Sequence, residues 1–436
     1  RPHPAAGRGL AHRGRVTQRC SAVGGSIPRT MAADAGTAGS YCIIGGGIIG
    51  SWAALHLARA GVKTVLMEQF PMPHTRGASH GASRVIRLLG DENLAALEFS
   101  YAEWRALERK TGDELLVQTG LINVGPEGDE YLAKFMAIVK AGGYDVEWLD
   151  ADELRRRHPA VRYPGLGACS DPSGAILLAH KCVAAVQREF VRLGGRIVQA
   201  AAEAVEPAEG ACVVRARPLG EAAARELAFA KVAVCAGPWS KRLLPRCAHL
   251  LSAQAIPVTY WKEKAAPHQH AAAAGFPVIY NARLKNIYAV PSYEYAGLTK
   301  VLVHSGPEAE PDARDTAELQ PTIDYVAAYV KEHMPLLDHE RPAIVETCMY
   351  TMTPDSKPLI DLYHERVAVA TGFSGSGFKH APASGKMVAA LLLRTEASLP
   401  EGFHLRRYRI ARFAENDTHS LKDAGRLLDK TGRSML

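Results

Sequence analysis

No stretch of this chain strings together the ~18 or more apolar residues that a membrane-crossing helix needs, so no transmembrane helix is expected. Its eight cysteines, at 20, 42, 169, 182, 212, 235, 247 and 348, include no C-x-x-C pair and no zinc-like cluster. With no secretory signal either, that spacing argues against a disulfide framework and a bound metal, and an intracellular reducing compartment is expected. Acidic residues are nearly missing from the first 40 positions. There Arg1, Arg8, Arg13, Arg15, Arg19 and Arg29 face Asp34 alone, which places +5 of the net +7 in this segment and leaves +2 for the rest. The basic balance is therefore a property of the start of the chain, and a nearly neutral body does not argue for nucleic acid. Residues 1–40 read either as an Arg-rich transit peptide or as a disordered or non-native extension upstream of a start at Met31, and the second is the expectation. No internal repeat is visible.

What is present begins at Tyr41. Tyr41-Cys42-Ile43-Ile44 is an apolar run of strand length, followed directly by Gly45-Gly46-Gly47-Ile48-Ile49-Gly50, a G-x-G-x-x-G in the strand–turn–helix setting that a dinucleotide fingerprint requires. Gly45 allows the tight turn, Gly47 lets backbone approach a pyrophosphate, and Gly50 allows close packing of helix on strand. Phosphate would rest on the N-terminus of a helix over Ser51–Ala60. A second strand, Val62–Met67, closes on Glu68, 18 residues past Gly50, where the fingerprint places a ribose-binding acid at a spacing of about 20. The acid disfavours a 2′-phosphate; FAD and NAD both remain open from these residues alone.

At 436 residues the chain has length for two or three domains of about 150 each. Pro71 to Arg87 lacks either period, and its Arg76, His80, Arg84 and Arg87 read as a ligand-facing loop or as a solvated basic one. Helices are expected over Asn93–Arg109, Tyr131–Ala141, Ala179–Leu193, Thr322–His333 and Pro382–Leu393. Asp150 and Glu153 have the spacing of a capping box. Strands are expected over Leu115–Val124, Arg196–Val198, Ala211–Ala216 and Leu227–Cys235. The last ends in Ala236-Gly237-Pro238-Trp239, a ligand-binding turn at a strand's carboxyl end or an ordinary strand-to-helix turn. Shorter strands, Val258–Trp261, Ile287–Val290 and Val301–His304, mark a second, strand-rich domain forming one wall of a pocket. Ala343–Thr347, Pro358–Asp361 and Val367–Ala370 return to α/β character, and Gly372 to His380, with Gly375, Gly377 and Lys379, is a second glycine-rich loop between strand and helix.

These motifs, in this order, resemble the monomeric sarcosine oxidase family, in particular its animal peroxisomal branch acting on sarcosine and L-pipecolate. The resemblance runs from Tyr41 into the 390s through Gly45–Gly50 with Glu68, Pro73 to Gly81, Arg84 to Arg87, Ala236 to Trp239, Thr347-Cys348-Met349-Tyr350-Thr351 with Thr353-Pro354-Asp355, and Gly372 to Lys379. It implies a glycine/D-amino-acid-oxidase type of fold: an α/β, Rossmann-like FAD-binding domain joined to an α+β, strand-rich substrate domain. The implied division gives 41–120, 170–245 and 350–398 to FAD, 121–169 and 246–349 to substrate, and 399–436 to a tail. It implies an FAD-dependent oxidase that converts the C–N bond of a secondary amino acid to an imine and reduces O₂ to H₂O₂. The flavin would be held covalently by Cys348, a position that from residues alone reads as a small buried hydrophobe. The resemblance further implies that Arg87 and Lys379 bind the substrate carboxylate, that His80 and Arg84 lie at the flavin face, that Lys300 assists O₂ reduction, and that Tyr288 and His304 line the active site. Gly237, Gly375 and Gly377 join the cofactor set.

Two departures from the family pattern stand out: Ser376 where a histidine is common, and Ser356-Lys357 after Thr-Pro-Asp. Either could change pocket polarity. Ser434-Met435-Leu436 fits the loose form of a peroxisomal targeting tripeptide. A monomer in the peroxisome is expected, with an amino acid, O₂ and an import receptor as partners and neither nucleic acid nor membrane. Two other readings are a flavin dehydrogenase that passes electrons to another acceptor, and a flavoprotein related to tRNA modification.

Overall fold

The computed structural model describes residues 39–90, 93–266, 268–281 and 285–413. The Arg-rich start, Met31 and the Ser434-Met435-Leu436 ending lie outside them. Among the described residues, no helix is long and apolar enough to cross a membrane.

Tyr41–Ile44 becomes the centre of an eight-stranded sheet, flanked by Thr64–Glu68 on one side and Lys231–Val234 on the other, both parallel to it. Arg196–Ala208 and Val367–Thr371 extend the parallel core, and Ala211–Pro218, Arg225–Phe229 and Leu359–His364 add antiparallel edges. Both faces of the central strands are covered, so their apolar residues point both ways: Ile43 and Leu66 pack under the helices, while Cys42, Ile44, Val65 and Met67 pack on the opposite side. Ile48–Arg59 is the inner helix, buried along most of its length between Ala179–Arg192 and Ala381–Leu393. It begins three residues earlier than the expected Ser51. Gly50 makes this possible, because a Cβ there would lie 2.0 Å from the Gly45 carbonyl oxygen.

A second eight-stranded sheet runs Ile344–Met352, Ser252–Lys262, Leu298–Val303, Ile287–Val290, Val278–Asn281, Leu121–Gly125, Gly167–Asp171 and Glu147–Leu149. It is antiparallel except between Val278–Asn281 and Leu121–Gly125. One face carries Ile122, Ile279, Ile287, Val301 and Val303, covered by the helix Gln320–His333 through Val326, Tyr329 and Val330. A three-stranded sheet of Ser83–Ile86, Ala175–Leu178 and Leu116–Gln118 is separate.

Four sequence expectations change. Leu115–Val124 breaks at Gly120, whose φ of +67° turns the chain from the small sheet into the large one. Leu227–Cys235 breaks at Ala230, whose N–H is taken by the Ser40 carbonyl. The aperiodic loop ending at Arg87 contains the strand Ser83–Ile86, held by pairing with a segment nearly a hundred residues away in sequence. Asp150 does cap its helix, accepting from the N–H groups of Asp152 and Glu153, but Glu153 turns outward to Arg156 and Arg157 instead of completing a box.

Candidate active site

The glycine turn sits at the carboxyl end of the first sheet. Gly45 has φ +109°, and a Cβ on it would fall 2.3 Å from the Cys235 carbonyl oxygen, so the turn is closed to any side chain. Gly47 is the N-cap of Ile48–Arg59 and offers no side chain to its N–H groups; the first turn has no acid. The Ile48 N–H donates to the Ser79 hydroxyl at 2.9 Å, which brings the serine-rich loop over the helix end. Such an end fits a pyrophosphate: free donors, an aligned dipole and no competing negative charge. Glu68, 6% exposed, accepts from the Gly46 N–H at 2.8 Å and the Phe70 N–H at 3.0 Å. Burial pushes its carboxyl up, but His74 and those two backbone donors outweigh burial and hold it below the usual range. Gly237, at φ +52°, follows Lys231–Val234, and its carbonyl accepts from the Thr371 hydroxyl at 3.3 Å, joining the ends of two neighbouring strands beside the glycine turn.

The other half of the site comes from one face of the second sheet. Strand residues alternate faces, and partners in register share one. Pairing of Ile256 with Cys348, Tyr260 with Lys300, Tyr288 with Leu302, Tyr280 with Tyr288 and Asn123 with Tyr280 therefore puts Cys348, Lys300, Tyr288, Tyr280 and Asn123 on one face, opposite the helix Gln320–His333. Ile344–Met352 runs further than expected and carries Cys348 at mid-strand, 5% exposed. Arg84 Nη2 lies 3.6 Å from Cys348 Sγ, with its guanidinium fixed by the carbonyls of Ala78 at 2.9 Å and His80 at 2.7 Å. All seven described cysteines are buried and unpaired with each other. Burial raises the thiols of Cys235 and Cys169 to about 12. His80 binds the Gly77 carbonyl through Nδ1, and burial together with Arg84 lowers its pKa to about 4.

A histidine–tyrosine chain fills the next part of this face. His304 Nε2 lies 3.2 Å from the Ser374 carbonyl oxygen, Tyr350 OH lies 3.3 Å from His304 Nδ1, and Tyr288 OH lies 3.4 Å from Tyr350 OH. Burial, with Arg87 and Lys379 adding to it against the Ser374 carbonyl, brings His304 to about 4. Arg87 is 8% exposed, with its guanidinium 4.2 Å from the centre of the Tyr280 ring and hydrogen-bonded to the Leu89 carbonyl. Lys379 is also 8% exposed, a buried lysine instead of a surface one. Gly375 and Gly377 shape the loop before it. A Cβ on Gly375 would sit 2.3 Å from His304 Cε1, and one on Gly377 would sit 2.8 Å from Phe373 Cβ. Ser376 turns its hydroxyl to the Phe373 carbonyl at 2.9 Å, and Ser356 lies exposed in a turn at φ +56°.

Lys300 is engaged elsewhere on the face. Its Nζ donates to Ser83 Oγ at 2.8 Å and pairs with Glu294 at 3.0 Å. Glu294, Ser83, Tyr260, Tyr280, Asn123 and Ser374 were not expected from sequence. Tyr350 had a signal, its place inside the Thr347–Thr351 motif; Glu294, in a loop between short strands, had none. Asn123 is 1% exposed and neither atom of its amide has a hydrogen-bond partner among the described residues. No group of three metal-ligating side chains is found among the described residues.

A family model described as FAD dependent oxidoreductase matches residues 40–391. The mouse peroxisomal sarcosine oxidase is 35% identical over 385 residues, 85% of this chain and 95% of the relative. The monomeric sarcosine oxidase of Bacillus sp. (strain B-0618) is 28% identical over 365 residues, 80% of this chain and 91% of the relative. In three dimensions, the L-proline dehydrogenase of P. horikoshii superposes with a TM-score of 0.72 at 18% identity, covering 87% of this chain and 99% of that one.

Proposed function

The chain belongs to the FAD-dependent oxidoreductase family, and from that premise we propose that it is an oxidase of secondary amino acids of the sarcosine and L-pipecolate kind, a monomer of the peroxisome that carries its FAD on Cys348. The observation that carries the reading is the shared face of the second sheet, where Cys348 lies against Arg84 and where Arg87 stacks on Tyr280, whose ring neighbours Tyr288 and, through it, His304. When bound, FAD supplies the two-electron acceptor that oxidises the C–N bond to an imine and hands the electrons to O₂; the imine is hydrolysed by water.

The remaining chemistry belongs to the protein. Gly45, Gly47, Gly50 and the open end of Ile48–Arg59 hold the pyrophosphate, Glu68 the ribose, and Gly237, Gly375 and Gly377 let backbone come close to the cofactor. Cys348 would hold the flavin as a thioether, its sulfur replacing a hydrogen of an electron-poor methyl group with the cofactor and then O₂ taking up the two electrons released, and the Arg84 guanidinium lies 3.6 Å from that sulfur. His80 and Arg84 set polarity at the flavin face. Arg87, planar and stacked on Tyr280, and Lys379, a point charge, hold the substrate carboxylate. Neutral His304, donating from Nε2 to the Ser374 carbonyl and accepting at Nδ1 from Tyr350, orients the Tyr288–Tyr350 pair toward the amine without adding a third cation beside the carboxylate site. Lys300 supplies positive charge for O₂ reduction. The segments 41–120, 170–245 and 350–398 form the FAD-binding part and 121–169 and 246–349 the substrate part.

One experiment tests the reading at its centre. The purified protein is precipitated in acid, and the pellet and supernatant are examined for flavin, while H₂O₂ release is followed with sarcosine, L-pipecolate and L-proline. Flavin in the wild-type pellet, its loss from the Cys348→Ala pellet, and H₂O₂ from at least one of these substrates are expected. Flavin in the wild-type supernatant refutes the Cys348 tether, and silence toward every secondary amino acid refutes the activity. A dehydrogenase reading draws on one observation, the ion pair that compensates Lys300; slow reoxidation of the reduced protein by O₂ is its signature.

A further inference from the structure

Lys300 is among the most enclosed cations in the described chain, at 5% exposure, and an ammonium taken out of water must be paired or lose its proton. The charged and titratable groups around it come from four elements. Tyr260, its register partner on Ser252–Lys262, stands with its ring centre 5.3 Å from Nζ. Arg84, on Ser83–Ile86, adds like charge, and Glu346, on Ile344–Met352, adds weaker opposite charge. Glu294, in the loop between Ile287–Val290 and Leu298–Val303, is the carboxylate at ion-pair distance, 3.0 Å, and its side chain is 5% exposed. The Tyr260 hydroxyl donates to the other Glu294 oxygen. The loop itself is fixed: Ser292 Oγ donates to the Tyr295 carbonyl at 2.9 Å and accepts from the Gly297 N–H at 3.0 Å, and Tyr295 packs edge-on against Tyr260.

We propose that Glu294 is a positioning residue for Lys300, the group that keeps the buried ammonium charged and pins it beside Ser83, so that the cation is present when O₂ is reduced. The proposal rests on the reading that Lys300 serves O₂ reduction. Burial lowers the Lys300 pKa and Arg84 lowers it further, while Glu294 is the main group raising it. Without that carboxylate the lysine is left with its burial, the Arg84 charge and only the weaker pull of Glu346. It then gives up its proton at a lower pH than in the wild type, and a neutral amine cannot stabilise developing negative charge on oxygen.

The test compares wild type, Glu294→Gln, Glu294→Asp, Lys300→Met and the Glu294→Gln/Lys300→Met double variant in full-length, flavin-loaded protein. Each is reduced anaerobically with substrate and then mixed with O₂ between about pH 6 and about pH 9, and thermal unfolding is followed in parallel without substrate. Wild-type reoxidation is expected to be flat with pH. In Glu294→Gln it is expected to match wild type at the acid end and to fall by up to about tenfold per pH unit as the ammonium titrates, with anaerobic reduction unchanged. Glu294→Asp, which keeps the charge, should restore the flat profile and covers the case in which the glutamine variant does not fold. In unfolding, each single variant should lose several degrees of Tm, and the double variant should lose less than the two losses added, because the unpaired partner is gone. A Glu294→Gln profile as flat as wild type, or additive Tm losses, overturns the proposal while slow reoxidation in Lys300→Met keeps the Lys300 reading. Wild-type reoxidation in Lys300→Met removes that reading, and the proposal with it.

Discussion

His304 is a histidine prevented from becoming a cation, and it is not alone. Burial, with Arg87 and Lys379, brings it to about 4; burial and Arg84 bring His80 to about 4; burial and Arg59 bring His56 to about 3, against an ordinary 6.5. Each binds fewer protons in the folded chain than in the unfolded one between those values. The stability they contribute is complete above 6.5 and is lost as pH falls through about 4 toward about 3. His56 isolates the effect, since it lies under the last helix, with Nε2 3.0 Å from the Pro382 carbonyl oxygen, and outside the proposed chemistry. Tm measured against pH should plateau above 6.5 and decline below it, and His56→Gln should decline less steeply, its difference from wild type shrinking as pH falls. Parallel curves for the two proteins would show that His56 stays uncharged in the unfolded chain or charged in the folded one, against its burial. Glu68 and Glu294, both held low, add to the same acid loss but equally in both proteins.

At the scale of elements, the glycines of the two loops separate strain from space. Gly375 and Gly237 both have positive φ, so alanine is strained at either. Only at Gly375 would a Cβ also collide with the site, 2.3 Å from His304 Cε1 and 2.7 Å from Tyr350 Cε2; at Gly237 nothing lies within 4 Å. Gly375→Ala should therefore lower kcat/KM per bound flavin by at least about tenfold, while Gly237→Ala, at a similar cost of about 1 kcal/mol in stability, should lower flavin content but keep most of its activity per bound flavin. Equal kinetic losses in the two would show that loop strain, not the His304–Tyr350 contact, controls the site. The same comparison shows what was legible beforehand. Gly45 to Glu68 was readable because its signals are local: an apolar run, three glycines, a helix and an acid at fixed spacing. Cys348 enters the proposed site only through its motif, since by residue type alone it reads as a small buried hydrophobe. Glu294 and Asn123 were invisible because what defines them is register between strands far apart in sequence, and the strand Ser83–Ile86 escaped for the same reason: its order comes from pairing with Ala175–Leu178 and not from any period of its own.

Across the whole molecule, one cofactor would draw on both large sheets, with the Gly45–Gly50 turn of the first holding its phosphates and Cys348 of the second holding its ring. A ligand that binds the folded chain alone stabilises it by mass action, rising with the logarithm of its free concentration, whereas a tethered one contributes the same amount at any concentration. Wild-type Tm should thus be indifferent to added FAD. In Cys348→Ala the pyrophosphate and ribose contacts remain, so this variant should bind FAD reversibly, and its Tm should climb with FAD by an amount equivalent to about 2.7 kcal/mol at a hundredfold excess over Kd. Differential scanning fluorimetry across an FAD series decides the matter. A Cys348→Ala protein that ignores FAD would mean that the glycine turn does not hold the cofactor without the tether, and a wild-type protein that responds to FAD would mean that no tether exists.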